Sequence, residues 1–401
     1  MVTLSSPASY SANHVPAQEN GNTTPQGALA LMGTDGKPYG FVNAEEVTAF
    51  RTALASSLLI TRRRKVKTIT VFGAGKQAYW HVRLALLLKG PTIKRVHFIV
   101  RDFNERSAGI MKTFVSHSAD IKQREGWFET TFDLTSLQYV EIGRILKERL
   151  RKADIIMCTT PSTEPLFDHT ILTNTEGRKR PRLVIAIGSY KPHMVEVPPE
   201  VFSQAVKIHG PGHHFHKRAE EGGVIVVDTI ACVKEAGELV QAGVKSKNTV
   251  ELGELTMLEQ MDAEKETDES AIEDSPRGSM ENTPVSPQEF TSSLAQALRR
   301  TGLDSPANGG GSKAVSRKSS RGSFNLSRKP SLSFHKRAGS VSSVGKRKKQ
   351  QTESEDQMSR WLSGGNVIYK SVGMGLMDLV MGAEMVKLAK EKKIGTTVKN
   401  F

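Results

Sequence analysis

The run TITVFGAGKQAYWHVRLALLL, residues 68–88, constrains the fold more than any other part of the chain. Five β-prone residues lead to Gly73, and a helix-prone stretch begins at Lys76. Gly73, Gly75 and Ala78 follow the spacing G-x-G-x-x-A, with Lys76 and Gln77 filling the turn. The first glycine permits a tight turn, the second lets backbone approach a pyrophosphate, and the alanine lets the helix pack closely on a sheet. The helix N-terminus then offers free N–H groups to an anion. A glycine-rich turn with no ligand would share this spacing. The strand before it and the helix after it favour a dinucleotide site.

The flanking sequence repeats the alternation. Strands are expected at 94–100, 154–158, 182–188, 205–210 and 224–228, with helices at 76–88 and 104–116 and a largely helical stretch at 134–150. Short apolar runs separated by helices indicate an α/β fold, a Rossmann-type doubly wound parallel sheet covered on both faces. Ahead of it, ALALMGTDGKPYGFV (28–42) reads as two short strands joined by a hairpin turn.

Strand ends carry the candidate site. After the second strand of the sheet comes FIVRDFNER, where a ribose 2′-OH calls for a carboxylate and a 2′-phosphate for arginine. Arg101 precedes Asp102, and Arg101 with Arg106 can grip a 2′-phosphate, so NADP is favoured over NAD. In IIMCTTPSTEP, Thr159 and Thr160 can hydrogen-bond a ribose, and Cys158 reads as a buried, inert thiol. In VIAIGSYKP, Gly188 would border the nicotinamide, and Tyr190 or Lys191 can supply a proton or hold a carboxylate. Lys191 fits a surface position ahead of a proline turn equally well. His209, His213, His214 and His216 crowd one loop, but no cysteine or well-spaced carboxylate joins them, so no metal is expected.

An arginine sits oddly in FRTALASSLL (50–59). Asn43 can cap this helix and Glu46 can close a capping box. Val47, Phe50, Leu54 and Leu58 form an apolar stripe, and Arg51 lies within it, one turn after Val47. A buried guanidinium needs an anionic partner.

The net charge of +14 is local: residues 311–350 hold 12 Lys or Arg and no acid. Residues 1–26 and 256–360 read as disordered, the latter a Ser-, Lys- and Arg-rich surface insertion rather than a linker. Within it a short helix fits 290–300. RKSS, RKPSLS and KRAGS suit basophilic kinases, and DSPRG, NTPVSP and LDSP suit proline-directed ones. Residues 346–349 fit a nuclear-import patch or a solvated run. The block lacks interleaved aromatics, which disfavours nucleic acid as a partner. Two cysteines, no signal peptide and no long apolar stretch point to a reducing, cytoplasmic setting without a membrane.

Taken together, FRTALASSLL, VFGAGKQAYWHVRLAL, ADIIMCTTPSTEPLF, VIAIGSYKPHMVEV, VVDTIACVKEAGEL, ELGEL and IYKSVGMGLMDLVMGAEMV resemble the ornithine cyclodeaminase/mu-crystallin family. Their order is the family's, and they span 27–255 and 365–391. The resemblance implies a homodimer and an NAD(P)H-dependent activity on a small imino or amino acid. It also implies a Rossmann NAD(P)-binding domain at 61–255. A substrate and dimerisation domain would be built from 27–60 and a C-terminal helix in 361–401. Arg51 would hold the substrate carboxylate, Ser371, Val372 and Gly373 would lie near the nicotinamide, and Asp378 matches an acid of the C-terminal helix. Two departures matter. Cyclodeaminases carry an aspartate where this chain has Tyr190, and a phenol is neutral at ordinary pH. Reduction of a cyclic ketimine or imino acid is therefore expected over ornithine cyclodeamination. The family also places several strands, with a further arginine and a lysine, before the arginine helix. Only 28–42 stands there, so the substrate domain is expected to be incomplete and the chain N-terminally truncated. A weakly active or inactive NAD(P)-binding paralogue with a regulatory role is the alternative.

Overall fold

Short runs of β-branched and aliphatic residues set the strands. A computed structural model describes residues 27–206, 222–255, 257 and 361–398. Eight strands form one sheet: β3 (Thr68–Phe72), β4 (Arg95–Val100), β5 (Thr131–Ser136), β6 (Ile155–Cys158), β7 (Leu183–Ala186), β8 (Val224–Val227), β9 (Thr249–Glu251) and β10 (Val367–Lys370). Their order is β5-β4-β3-β6-β7-β10-β8-β9, and every neighbouring pair is parallel.

Alternation along each strand divides the core between the two faces of the sheet. Val71, Met157, Ile185 and Val226 pack with Val82 and Leu86 of α2 (Lys76–Lys89) and Phe114 of α3 (Glu105–Ser116). Phe72, Ile156, Val184 and Ile225 pack on the other side. There they meet Leu150 of α5 (Ile142–Lys152), Phe202 of α8 (Pro199–Ala205) and Leu239 of α10 (Gly237–Gln241). Short helices α4 (Ala119–Arg124), α6 (Thr170–Thr173), α7 (Thr175–Arg178) and α9 (Cys232–Glu235) fill the connections. The chain is thus a doubly wound α/β sheet with an added layer.

That layer contains the antiparallel hairpin β1 (Ala28–Met32) and β2 (Pro38–Asn43), α1 (Ala44–Arg62) and α11 (Gly375–Lys392). Leu29, Leu31 and Val47 form its small core with Met381, Met385 and Val386. The packing is close. A Cβ on Gly382 would come within 2.6 Å of Leu29, and one on Gly40 within 2.6 Å of Val386.

Several expectations are corrected. Residues 131–136, partly taken as helix, form edge strand β5, and the helix starts only at Ile142. Ala205 ends a helix rather than opening a strand. Reading 361–401 as a C-terminal helix overlooks β10, which lies between β7 and β8 inside the sheet. The apolar stripe expected on α1 is not its buried face. Leu54 and Leu58 are exposed, while Val47, Ala53, Ser56, Leu59 and Ile60 are buried. Small residues let α1 approach α2, where Ser56 Oγ meets Nε2 of the buried His81 at 2.9 Å. Asn43 does cap α1, accepting from Glu45 N, but Glu46 binds Lys76 and Trp80. The histidine-rich loop at 209–216, the residues 1–26 and the basic segment up to 360 lie outside the described residues. Among the described residues no helix is long and apolar enough to cross a membrane.

Candidate functional site

From β3 the sheet grows outward to β4 on one side and to β6 on the other. The carboxyl ends of β3 and β6 therefore flank a topological switch point, where doubly wound sheets leave a crevice. A cavity of about 610 Å3 opens there.

One wall is the turn after β3. Gly73 has φ +110, and a Cβ on it would lie 2.7 Å from Thr159 Oγ1, so both conformation and space demand glycine. Gly75 is the N-cap of α2, with no side-chain cap, and a Cβ there would meet no protein atom. Both glycines line the cavity with Lys76 and Gln77. Ala78 is fully buried beneath them, packed in the core between α2 and the sheet. Thr159 and Thr160 line the same wall. Their hydroxyl protons are committed within the protein. Thr159 Oγ1 donates to Phe72 O at 2.7 Å, and Thr160 Oγ1 to Glu196 Oε1 at 3.2 Å. Toward a ligand these hydroxyls can act only as acceptors.

The opposite wall comes from α1 and α11. Arg51 Nε donates to Asp378 Oδ1 at 2.9 Å, and Nη1 approaches Met377 Sδ at 3.7 Å. The guanidinium lies against Gly373, whose φ is +93 and whose Cβ would fall 2.6 Å from Nη1. Ser371, Val372 and Gly373 all line the cavity. Asp228, at the end of β8, holds that loop. Its Oδ2 accepts from Ser371 Oγ at 2.8 Å, Val372 N at 2.9 Å and Gly373 N at 2.7 Å. Its Oδ1 accepts from Tyr369, whose phenol is pushed well above its ordinary range by burial and by the adjacent carboxylate.

Not every residue considered for the charged rim lines the cavity. Arg106 lines the cavity, but Arg101 is exposed and outside its lining, because the chain bends away after β4 and Asp102 accepts from Gln138. Tyr190 and Gly188 line the cavity; Lys191 does not, and its Nζ sits 5.7 Å from the Tyr190 ring centre. Lys76 is paired with Glu46 and, at 3.2 Å, with Glu45. The hydrogen bond to Glu46 raises the Lys76 ammonium, and the same bond lowers the Glu46 carboxyl. Cys158 is fully buried, and burial pushes its thiol well up, as befits an inert cysteine.

Sequence reading missed the layer beneath this cavity. Ser189, Glu196, Glu238 and Lys370 are fully buried. Lys370 Nζ lies 3.3 Å from Glu238 Oε2 and donates to Ser189 Oγ, which donates to Glu238. Glu196 accepts three backbone N–H groups, and burial pushes its carboxyl up to about 7. Asp228, which holds the 371–373 loop, was missed as well, although it carried a readable signal, an acid closing an apolar strand.

No protein-family model matches the chain. It is 28% identical over 262 residues to an uncharacterized protein of Saccharomyces cerevisiae, covering 60% of this chain and 65% of that one. It is 30% identical over 159 residues to an uncharacterized cyclodeaminase of Dictyostelium discoideum, covering 38% and 41%. It is 26% identical over 177 residues to the delta(1)-pyrroline-2-carboxylate reductase of Bacillus cereus, covering 43% and 45%. The matches thus span less than two thirds of each of these relatives. Among solved structures, the probable ornithine cyclodeaminase of Bordetella pertussis aligns with a TM-score of 0.49 at 17% identity, covering 94% of this chain and 77% of that one. At low identity, then, the chain is similar to a cyclodeaminase and to a pyrroline-carboxylate reductase.

Proposed function

We propose that the chain binds a nicotinamide dinucleotide in this cavity and reduces the C=N bond of a cyclic ketimine or imino acid. One observation carries the reading. A single cavity joins the Gly73–Gly75 turn and the N-terminus of α2 to Arg51 and the 371–373 loop. The names of two curated relatives, a cyclodeaminase and a pyrroline-carboxylate reductase, agree with it.

The residues fit such a cofactor. Gly75 leaves room where a side chain would intrude, and the uncapped N-terminus of α2 favours an anionic group. Arg106 would face a 2′-phosphate, which favours NADP. A bound dihydronicotinamide supplies a hydride. The chain's own side chains do the rest. Arg51 holds the substrate carboxylate from a position fixed by Asp378 and Gly373. Tyr190 is the cavity-lining side chain of the Tyr190–Lys191 pair and is assigned to deliver the proton. Holding both reactants in one cavity supplies the proximity such a reaction needs.

A second reading is a nucleotide-binding protein with little turnover. It is favoured by the Arg51–Asp378 pair, which already satisfies part of the guanidinium. NADPH oxidation with piperideine-2-carboxylate separates the two. Turnover supports the first, and quenching of protein fluorescence by NADPH without turnover supports the second. Absence of NADPH binding removes both. We also propose a homodimer, which light scattering on the intact chain tests.

A further inference from the structure

We propose that Glu196 is a positioning residue whose ionised carboxylate clamps the loops after β6 and β7 into one cavity wall, so that ligand affinity depends on its charge. The ligand half of this proposal rests on the dinucleotide reading above; the clamp itself does not.

Oε1 accepts from Thr160 N at 2.6 Å and Thr160 Oγ1 at 3.2 Å. Oε2 accepts from Gly188 N at 2.6 Å and Ser189 N at 3.1 Å. Backbone donors from two loops thus converge on one buried side chain, and Thr160 and Gly188 both line the cavity. The loops touch directly: a Cβ on Gly188 would fall 2.2 Å from Thr160 O. Glu196 itself lies outside the cavity lining and is fully buried, so it acts through the loops it holds and not by touching a ligand. The segment that carries it is held as well. Glu196 N donates to Glu238 Oε1 at 3.0 Å, Glu196 O accepts from Leu166 N at 2.9 Å, and Val195 N donates to Ser162 O at 2.8 Å.

A carboxylate suits this place because it has acceptors only. An added proton turns one oxygen into a donor facing donors, and buried N–H groups without acceptors are costly. The groups facing Glu196 are Lys370 from β10, Glu238 from α10, Cys158 at the end of β6 and Ser189 from its own loop. Burial and Glu238 oppose ionisation, whereas Lys370 and the backbone donors favour it. The balance puts the carboxyl at about 7. The clamp is therefore formed above neutral pH and loosened below it, as a local opening in which Glu196 stays buried and loses the backbone donors that favour its charge; global unfolding, which returns the carboxyl to water, has the opposite pH dependence.

The test is amide hydrogen exchange on the intact, ligand-free chain at pH 6 and pH 8, corrected for intrinsic rates, in peptides covering 157–162 and 186–190. Nucleotide titrations followed by protein fluorescence run beside it at both pH values. Protection in these peptides is expected to fall about tenfold at pH 6 in the wild type. In Glu196→Gln it is expected to be low at both pH values. NADH affinity is expected to fall about fivefold or more from pH 8 to pH 6 in the wild type and to be independent of pH in the variant. NADPH, whose own 2′-phosphate titrates in both proteins, must show a larger fall in the wild type than in the variant. Wild-type protection that does not change with pH overturns the clamp, and this comparison needs no variant. Altered protection with pH-independent affinity overturns the link to the ligand. Altered protection with no nucleotide binding supports the clamp and removes the dinucleotide reading instead.

Discussion

Arg51 Nε and Asp378 Oδ1 lie 2.9 Å apart and tie the middle of α1 to the first turn of α11. Both side chains are nearly buried, 10% and 8% exposed. Removing one member of such a pair leaves the other charged and poorly solvated. Asp378→Ala is therefore expected to destabilise the chain by about 3–5 kcal/mol. Asp378→Asn keeps an acceptor for Nε and should cost distinctly less. Urea denaturation of the three proteins measures both; coincident midpoints would show that the pair contributes nothing.

The two fingerprint glycines should separate folding from binding. Gly73 has φ +110, and an added Cβ would press on Thr159 Oγ1. Gly73→Ala is expected to lose about 1–3 kcal/mol of stability. Gly75 has an extended φ of −89, and its Cβ would meet no protein atom. Gly75→Ala should leave the melting temperature nearly unchanged yet weaken NADPH binding about tenfold or more, through lost close approach of the backbone. Equal effects of the two substitutions on stability would contradict this division.

Arg106 lines the cavity and Arg101 does not. A charged hydrogen bond to a phosphate is worth about 1.5–3 kcal/mol, so Arg106→Ala should weaken NADPH by about 10–100-fold and leave NADH nearly unchanged. Arg101→Ala should change either nucleotide by less than about threefold. Calorimetric titration with both nucleotides decides. Loss of NADH affinity equal to that of NADPH would assign Arg106 to the shared part of the ligand.

The strands of the sheet were legible because buried parallel strands read as unbroken apolar runs, as in IIMC and VIVV. The fingerprint was legible because its glycines answer local demands, a positive φ and an open N-cap. What escaped depended on tertiary context. Only residues 137–141 part the edge strand β5 from α5, and its six residues carry no clear period of their own. The strand β10 is four residues long and sits just ahead of α11, and its apolar residues merge with the helix pattern. On α1, Leu54 and Leu58 stay outside while Ala53 and Ser56 are buried, Ser56 against His81 of α2, because closeness of the backbones matters more there than apolar bulk. Glu196, Glu238 and Lys370 carry no local signal of burial. Their burial rests on partners from other segments, Lys370 with Glu238 and the Thr160, Gly188 and Ser189 N–H groups on Glu196.

Two buried groups should oppose each other in the pH dependence of stability. His81 is fully buried, and burial lowers its imidazole to about 4. A depressed base adds stability that is complete above its ordinary value of 6.5 and is lost as pH falls toward 4. Glu196 is raised to about 7 from 4.5. Its contribution is complete below 4.5 and is lost as pH rises through 7. Between 4.5 and 6.5 the two slopes have opposite sign, each about 1.4 kcal/mol per pH unit at most, and they largely cancel. His81→Gln should therefore remove the loss due to His81: relative to the wild type, its stability should rise as pH falls from 6.5 to 4.5. Glu196→Gln should remove the gain due to Glu196, and relative to the wild type its stability should fall over the same interval. Because differences from the wild type are compared, other titrating groups drop out. Thermal denaturation of the three chains across this range checks the sign of each slope. Parallel curves for both variants would mean that neither group's folded-state shift is as its burial demands.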